Sequence, residues 1–217
     1  MDVTSTTRSR LTICAVLAAL TLAACGGGNG KSTAEGQVDN RTASETQSTT
    51  AAKSMDELAK KLNISVPDGY MLQPDQVGDT GPSDLEKAVR DDGEDDARDV
   101  LTRTRFVRGY QRQWNRSEGD EIVSYVYQFA DHAGAVEYTD RLTADLGAQT
   151  AGVNIARFSV DTIAGSVGVN GSDPNFATSS VTFVKGPYSV QVVVNGSTPA
   201  GLETLVSALA EEQYSRL

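Results

Sequence analysis

An apolar run near the N-terminus, ending in a cysteine, limits how much of this chain is available to fold. Residues 11–22 are almost wholly apolar, and Ala23, Ala24 and Cys25 follow them. The run is shorter than the roughly 18 apolar residues that a membrane-spanning helix needs, and it has the length of a signal-peptide core. We therefore expect residues 1–24 to be removed from the mature protein as a signal peptide.

The tetrapeptide Leu22-Ala23-Ala24-Cys25 resembles the lipobox of bacterial lipoproteins, in which an aliphatic residue and two small residues precede an obligatory cysteine. The resemblance implies that diacylglycerol is attached to the sulfur of Cys25 and that the chain is cut just before it. Two acyl chains hold a protein stably on a membrane. We therefore expect a lipid anchor on the extracytoplasmic face of the cell membrane; the alternative is an ordinary signal peptide with a chance cysteine.

The cysteine count and the net charge narrow what the mature protein can be. Of the two cysteines, Cys14 would leave with the signal peptide and Cys25 would carry lipid. The fold would then lack a disulfide in an oxidising compartment, so its stability must come from a hydrophobic core. The net charge of −10 becomes −11 when residues 1–24 leave, because they hold two arginines and one aspartate. Such acidity argues against nucleic acid as a partner.

A segment of low complexity separates the cysteine from the rest of the chain. Residues 26–54 are rich in Ser, Thr and Gly, contain no aromatic residue, and have Val38 as their only large aliphatic side chain. Such a segment cannot bury enough apolar surface to offset the entropy lost on ordering. We expect residues 25–54 to form the lipidated cysteine and a flexible tether with a reach on the order of 30 Å. Residues 55–217 would then form a single domain.

Hydrophobic periodicity predicts both helices and strands in this domain. Helices are expected at 55–62, 83–92, 94–103, 131–146 and from about Thr198 onward, with Ser83 and Asp131 as N-caps. Strands are expected at 107–115, 121–130, 157–163, 166–169, 179–185 and 188–195, the first two as a hairpin. The pattern predicts the α+β class, with an antiparallel sheet of five or six strands and helices packed on it. The order of elements also suggests a duplicated strand–strand–helix unit.

The residue inventory contains no recognisable catalytic constellation. His132 is the single histidine, and its place at the start of a predicted helix favours a surface position. No Gly-x-Ser-x-Gly, phosphate-loop or dinucleotide fingerprint occurs, and no free cysteine would remain after lipidation. We therefore predict no catalytic residue and no cofactor, and a hydrolase that uses carboxylates alone stays open.

An acidic run at residues 91–96, followed by Asp99, is a possible calcium ligand set. Its glycine, Gly93, is misplaced for an EF-hand loop, and the glutamate required at the twelfth position is missing. We favour a solvated junction between two helices and predict no metal site.

The segment 106–114 supplies the candidate ligand-binding residues Arg108, Tyr110, Arg112 and Trp114. In a regular strand these four side chains and that of Phe106 share one face. Alternating guanidinium and aromatic groups bind anionic or sugar ligands through stacking and bidentate hydrogen bonds. The favoured alternative is a core strand whose arginines stack on the aromatic rings and pair with nearby acidic residues.

Two resemblances accompany these patterns. The stretch 81–138 resembles actinobacterial surface lipoproteins of unassigned function, on the motifs Asp84-Leu85-Glu86-Lys87-Ala88, Phe106-Val107-Arg108-Gly109-Tyr110, Arg112 with Trp114, and Tyr127-Gln128-Phe129-Ala130. The turn at 186–188, between valine-rich strands and before a terminal helix, is similar to that of Mog1/PsbP-like lipoproteins. The first resemblance offers no catalytic residue that can be carried over to this chain, and the second implies only a fold.

These observations predict a non-enzymatic cell-envelope lipoprotein that acts as a binding or structural module. Its partner outside the membrane would be an envelope protein, a glycan or a lipid. The alternative is a carrier that holds a hydrophobic, lipid-like ligand between the sheet and its helices.

Overall fold

One antiparallel sheet organises the part of the chain that the structure describes. The computed structural model describes residues 57–62, 64–116, 119–144, 146 and 153–217. The predicted signal peptide, the cysteine at position 25 and the tether all lie outside the described residues.

The described strands number eight. They are β1 (Met71–Leu72), β2 (Gly81–Ser83), β3 (Phe106–Asn115), β4 (Glu121–Phe129), β5 (Asn154–Phe158), β6 (Val167–Ser172), β7 (Ala177–Lys185) and β8 (Tyr188–Gly196). The sheet order is β1-β3-β4-β8-β7-β6-β5, and β2 also pairs with β3. Every neighbouring pair is antiparallel.

Helices precede, interrupt and follow the strands. Residues 57–61 are helical and are called α1; α2 (Leu85–Asp92), α3 (Ala97–Arg103), α4 (His132–Ala144) and α5 (Leu202–Arg216) follow.

The N-cap of α2 is Asp84, whose side chain accepts a hydrogen bond from the Lys87 backbone N–H at 2.8 Å. Ser83, the predicted cap, instead ends strand β2. The prediction that Asp131 caps α4 is confirmed, because its carboxylate accepts from the Gly134 N–H at 2.9 Å.

Helices cover both faces of the sheet, so the domain has three layers. Side chains alternate along β8, with Ser189 pointing to one face and Val190 to the other. On the first face, called the α4 face, α2, α3 and α4 pack over a core formed by Ala88, Val100, Leu101, Tyr127, Phe129, Ala135 and Tyr138. On the second, the α5 face, α1 and α5 pack over a larger core that includes Leu58, Trp114, Val126, Phe183, Val190 and Leu209. The predicted α+β class is confirmed.

The strands differ from the prediction most at β1, β2 and β5, while β6 and β7 differ from their predicted bounds by one to three residues at an end. β1 and β2 were not predicted, since two or three residues are too few to show an alternating pattern. β5 covers Asn154–Phe158 rather than 157–163, because the chain turns at 161–165. Val160 and Ile163 are nevertheless buried, and they reach the core of the α5 face from that turn.

A β-bulge moves Phe106 to the opposite face from the one predicted. Phe106 pairs with Phe129 while Arg108 pairs with Gln128, so Val107 is an extra residue without an opposite partner. An extra residue reverses the alternation of side chains on its strand. Phe106 therefore lies on the α4 face, edge-on to the Tyr127 ring at a centroid distance of 5.3 Å, whereas Arg108 and the alternate residues after it lie on the α5 face.

Candidate functional site

The two predicted ligand-binding arginines make contacts within the domain. Arg108 Nε donates a hydrogen bond to Gln128 Oε1, its cross-strand neighbour, at 2.7 Å. The Arg112 guanidinium lies over the Tyr110 ring at 5.6 Å, and its Nε donates to the Ala59 carbonyl oxygen at 3.2 Å. The arginines thus contact an aromatic ring, an amide and a carbonyl, and none of these three contacts is with an acid of α2 or α3.

The two predicted aromatic residues belong to the core of the α5 face. Tyr110 and Trp114 are each only 4% exposed. The Tyr110 hydroxyl donates a hydrogen bond to Asp75 Oδ2, which lies in the loop between β1 and β2. Ligand binding by Arg108, Tyr110, Arg112 and Trp114 stays a prediction, and a pocket on the other face of the sheet is the stronger candidate.

That pocket lies on the α4 face, between the end of α2, the helix α4 and the centre of the sheet. We call it the tyrosine pocket; its lining residues are Asp91, Asp92, Tyr125, Tyr127, Tyr138, Leu142, Ser189 and Gln191. Its cavity volume is about 30 Å³, room for one or two water molecules or a small ligand group. A volume so far below the roughly 300 Å³ or more of drug-sized ligand pockets does not suit an acyl chain.

Strand register builds the floor of the pocket. Tyr125 and Tyr127 alternate along β4 and therefore point to the same face. Their directly opposite partners on β8 are Gln191 and Ser189. The neighbouring strand β3 has a glycine, Gly109, opposite Tyr127. A Cβ at that position would lie 2.4 Å from the Tyr127 ring, so only glycine lets the ring cover β3 in this way.

A buried ion pair holds α4 to the end of α2. The Asp92 side chain is fully buried, and both of its oxygens accept hydrogen bonds from Arg141 Nη1, at 2.7 and 2.9 Å. The Tyr138 hydroxyl donates to the same carboxylate at 2.9 Å. Burial alone lowers the pKa of Arg141, but its hydrogen bonds to Asp96 and Asp92 outweigh burial, so that pKa is raised overall. Arg141 is therefore a permanent cation.

A second ion pair contributes Asp91 to the lining of the pocket. Lys87 Nζ donates to Asp91 Oδ2 at 2.6 Å and to Gln111 Oε1 at 2.8 Å. Burial raises the pKa of the Asp91 carboxyl, and the contact with Lys87 offsets this only in part. The Tyr127 hydroxyl donates to Asp91 Oδ2 at 3.3 Å, and burial raises the pKa of Tyr127 well above its ordinary value. Tyr127 is therefore a neutral hydrogen-bond donor.

The acidic run at 91–96 is thus divided between the interior and the surface. Asp91 and Asp92 point into the domain, whereas Glu94 and Asp95 are exposed as a solvated junction requires. Among the described residues, no group of three or more His, Cys, Asp and Glu side chains is placed to hold a metal ion.

The exposed His132 has its Nδ1 at 2.9 Å from the Gly186 carbonyl oxygen.

Sequence reasoning missed the tyrosine pocket because its walls come from distant parts of the chain. The usable signals were local: Tyr125 and Tyr127 alternate on one predicted strand, and Tyr138 and Arg141 are one helical turn apart. Neither signal indicates that residues near position 90 or 190 lie beside them.

Comparison with known proteins shows a likeness in structure but not in sequence family. No protein-family model matches the chain, and no curated protein matches its sequence. The crystal structure of the extracellular domain of PknH from Mycobacterium tuberculosis is similar with a TM-score of 0.43 and 9% sequence identity. The match covers 74% of this chain and 89% of that domain.

Within the described ranges, no helix is both long enough and apolar enough to cross a membrane.

Proposed function

We propose that this protein is a cell-envelope lipoprotein whose folded domain is a non-enzymatic binding module. Cys25 would carry the lipid, the segment 26–54 would hold the domain away from the membrane, and the tyrosine pocket would be the binding site. The resemblances to actinobacterial surface lipoproteins and to lipoproteins of the Mog1/PsbP-like fold are in keeping with this role.

The observation that carries the binding role is the construction of the tyrosine pocket. Its polar wall is held in place by two ion pairs and by contacts such as that of Ser189 Oγ with Thr139 Oγ at 2.7 Å. A small number of fixed polar groups beside aromatic rings is typical of ligand sites. The volume of the pocket favours a small polar ligand group over the hydrophobic ligand of a carrier.

Lipid attachment is tested by substitution of Cys25 in the producing cell. We expect Cys25→Ala to abolish labelling by an alkyne-tagged fatty acid and to move the protein from the membrane fraction to the soluble fraction. The physical reason is that a thioether-linked diacylglycerol would supply the hydrophobic burial that holds the protein on the bilayer.

Cys14→Ala is the matched control, since position 14 would be removed with the signal peptide. This variant should label and fractionate like the wild-type protein. Continued labelling and membrane retention of the Cys25→Ala protein would contradict the proposed anchor.

A further inference from the structure

We propose that the side chains of Lys87 and Gln111 react to form an isopeptide bond, a covalent cross-link between α2 and β3 that the folded domain makes by itself. The Lys87 amine would attack the Gln111 carboxamide and release ammonia, and Asp91 would carry the protons. This modification goes beyond the proposed binding role and stands or fails independently of it.

Three side chains with the required chemistry meet where α2 packs on the sheet. Lys87 Nζ lies 2.6 Å from Asp91 Oδ2 and 2.8 Å from Gln111 Oε1. The carboxamide carbon is bonded to that oxygen, so the amine already lies beside the atom that it would attack. Groups held together in this way react as if at an effective concentration of about 10⁵–10⁸ M.

Helical spacing and strand register bring the three groups together. Lys87 and Asp91 are four residues apart on α2 and therefore lie on the same side of the helix. Gln111 is opposite Tyr125 of β4 and opposite Gly81 of β2. Because Gly81 has no side chain, this cross-strand neighbour does not cover the Gln111 carboxamide.

Burial favours the neutral amine that the reaction needs. The side chains of Lys87 and Asp91 are only 11% and 7% exposed, and Gln111 is 1% exposed. A lysine is nucleophilic only after its ammonium loses a proton, and low polarity penalises the charged forms of both partners. In keeping with this, burial raises the pKa of the Asp91 carboxyl despite its contact with Lys87. A carboxyl of this kind both accepts and returns a proton.

The reaction balances without a co-reactant. Asp91 takes a proton from the Lys87 ammonium, and the neutral amine forms a bond from Nζ to Cδ of Gln111. Asp91 then gives its proton to Nε2, and the bond from Cδ to Nε2 breaks. The second proton lost by Nζ passes through Asp91 to the departing ammonia. One ammonium ion leaves, and the ammonium and the carboxamide are replaced by one amide.

The cross-link would fasten α2 to the sheet in a domain whose described residues contain no cysteine. The two cysteines of the chain, at positions 14 and 25, both precede those residues. The bond would join side chains 24 positions apart and would restrict the unfolded chain as a disulfide does. Unlike a disulfide, an amide is not broken by a reducing agent.

Tryptic digestion of the full protein, purified from the producing cell and denatured, tests the proposal. Trypsin does not cut after a lysine whose amine is part of an amide. We expect peptide 62–90, uncut at Lys87, to be joined to peptide 109–112, with a mass one ammonia below the sum of the two. Cys25 lies outside both peptides, so its lipid does not affect this mass. Recovery of 62–87 and 109–112 as separate peptides would overturn the proposal.

A pair of variants tests the role of Asp91. Asp91→Asn keeps the size of the side chain but cannot take the proton, so the joined peptide should be lost. Asp95→Asn is the matched control, because Asp95 belongs to the same acidic run but is exposed, and this variant should retain the joined peptide. A joined peptide in the Asp91→Asn protein, or its loss in both variants, would contradict the role of Asp91.

Nitrogen-15 NMR of folded wild-type protein labelled at its lysine side chains needs no variant to fold. We expect the Lys87 Nζ signal to be that of an amide coupled to a single proton. Lys185 is the internal control, because its Nζ also donates to a carbonyl oxygen, that of Tyr214 at 2.6 Å, but this oxygen belongs to the backbone. Its signal should be that of an amine or ammonium, and a Lys87 signal of the same kind would overturn the cross-link.

Discussion

At the residue scale, the burial of an ion pair decides how much its loss costs. The Asp92 carboxylate has no solvent exposure, so its charge cannot be well hydrated if Arg141, which is 19% exposed, is removed. By contrast, Arg98 and Glu86 are 50% and 64% exposed, although their contact is also bidentate. Removal of one partner leaves a buried uncompensated charge in the first pair and a hydrated charge in the second.

We therefore expect Arg141→Gln to lower the free energy of unfolding by about 3–5 kcal/mol, because Asp92 would lose its cation in the interior. Arg98→Gln is the matched control and should change stability little. Urea denaturation followed by far-UV circular dichroism measures both. Similar, small losses in the two variants would show that water reaches Asp92 and would contradict the described burial.

At the element scale, the bulge in β3 determines which residues enter which layer. Val107 is 54% exposed and has no directly opposite residue on β4. Without it, Phe106 and Arg108 would be consecutive and would face Phe129 and Gln128 in regular register. The bulge residue is therefore dispensable for the placement of its neighbours, whereas a residue inside the regular part of β3 is not.

Deletion of Val107 should consequently retain the fold and change the free energy of unfolding by about 1 kcal/mol or less, the size of effect expected away from buried features. Deletion of Gln113, on the same strand, should abolish cooperative unfolding, because it would turn the buried Trp114 out of its core or shift the pairing of the whole strand. Trp114 fluorescence during thermal unfolding distinguishes the two. A Val107 deletion as damaging as the Gln113 deletion would contradict the bulge.

The same strand shows what sequence patterns can and cannot predict about elements. The hairpin of β3 and β4, the Asp131 cap and the turn at 186–187 were predictable, because each depends on residues close together in the chain. The face on which Phe106 lies was not predictable, since a single extra residue reverses it. A valine such as Val107 is common in regular strands and does not indicate a bulge. Likewise Ser83 has the side chain of a helix cap, but its pairing with Gly109 of β3 places it in a strand.

At the scale of the whole molecule, the sheet is buried on both faces. The candidate site on it was harder to predict than the fold, because the site depends on pairing between distant strands. The fold class follows from local periodicities, but the tyrosine pocket depends on the pairing of Tyr125 with Gln191 and of Tyr127 with Ser189. A register between residues more than sixty positions apart leaves no local pattern. Asp91 and Asp92 show the same limit, because an acidic run usually predicts a solvated surface and here two of its members turn inward.

The shared sheet also predicts that the two helical layers unfold together. Val126 and Tyr127 are neighbours on β4 and belong to the cores of opposite faces. Damage to one layer therefore loosens strands that carry the other. Leu101→Ala creates a cavity beneath α3 on the α4 face, where Leu101 has no exposure, and should lower the free energy of unfolding by about 2–5 kcal/mol.

The single tryptophan, Trp114, reports on the opposite face and makes this coupling measurable. In the Leu101→Ala protein, Trp114 fluorescence and far-UV circular dichroism should give the same lowered urea midpoint, since two-state unfolding makes all probes coincide. Leu209→Ala in α5 is the matched control, because it places a similar cavity in the core that contains Trp114. This variant should also shift both probes by the same amount. A Trp114 midpoint that stays at the wild-type value in Leu101→Ala while circular dichroism shifts would show that the two layers unfold independently, and the sheet would then not be the common support of both.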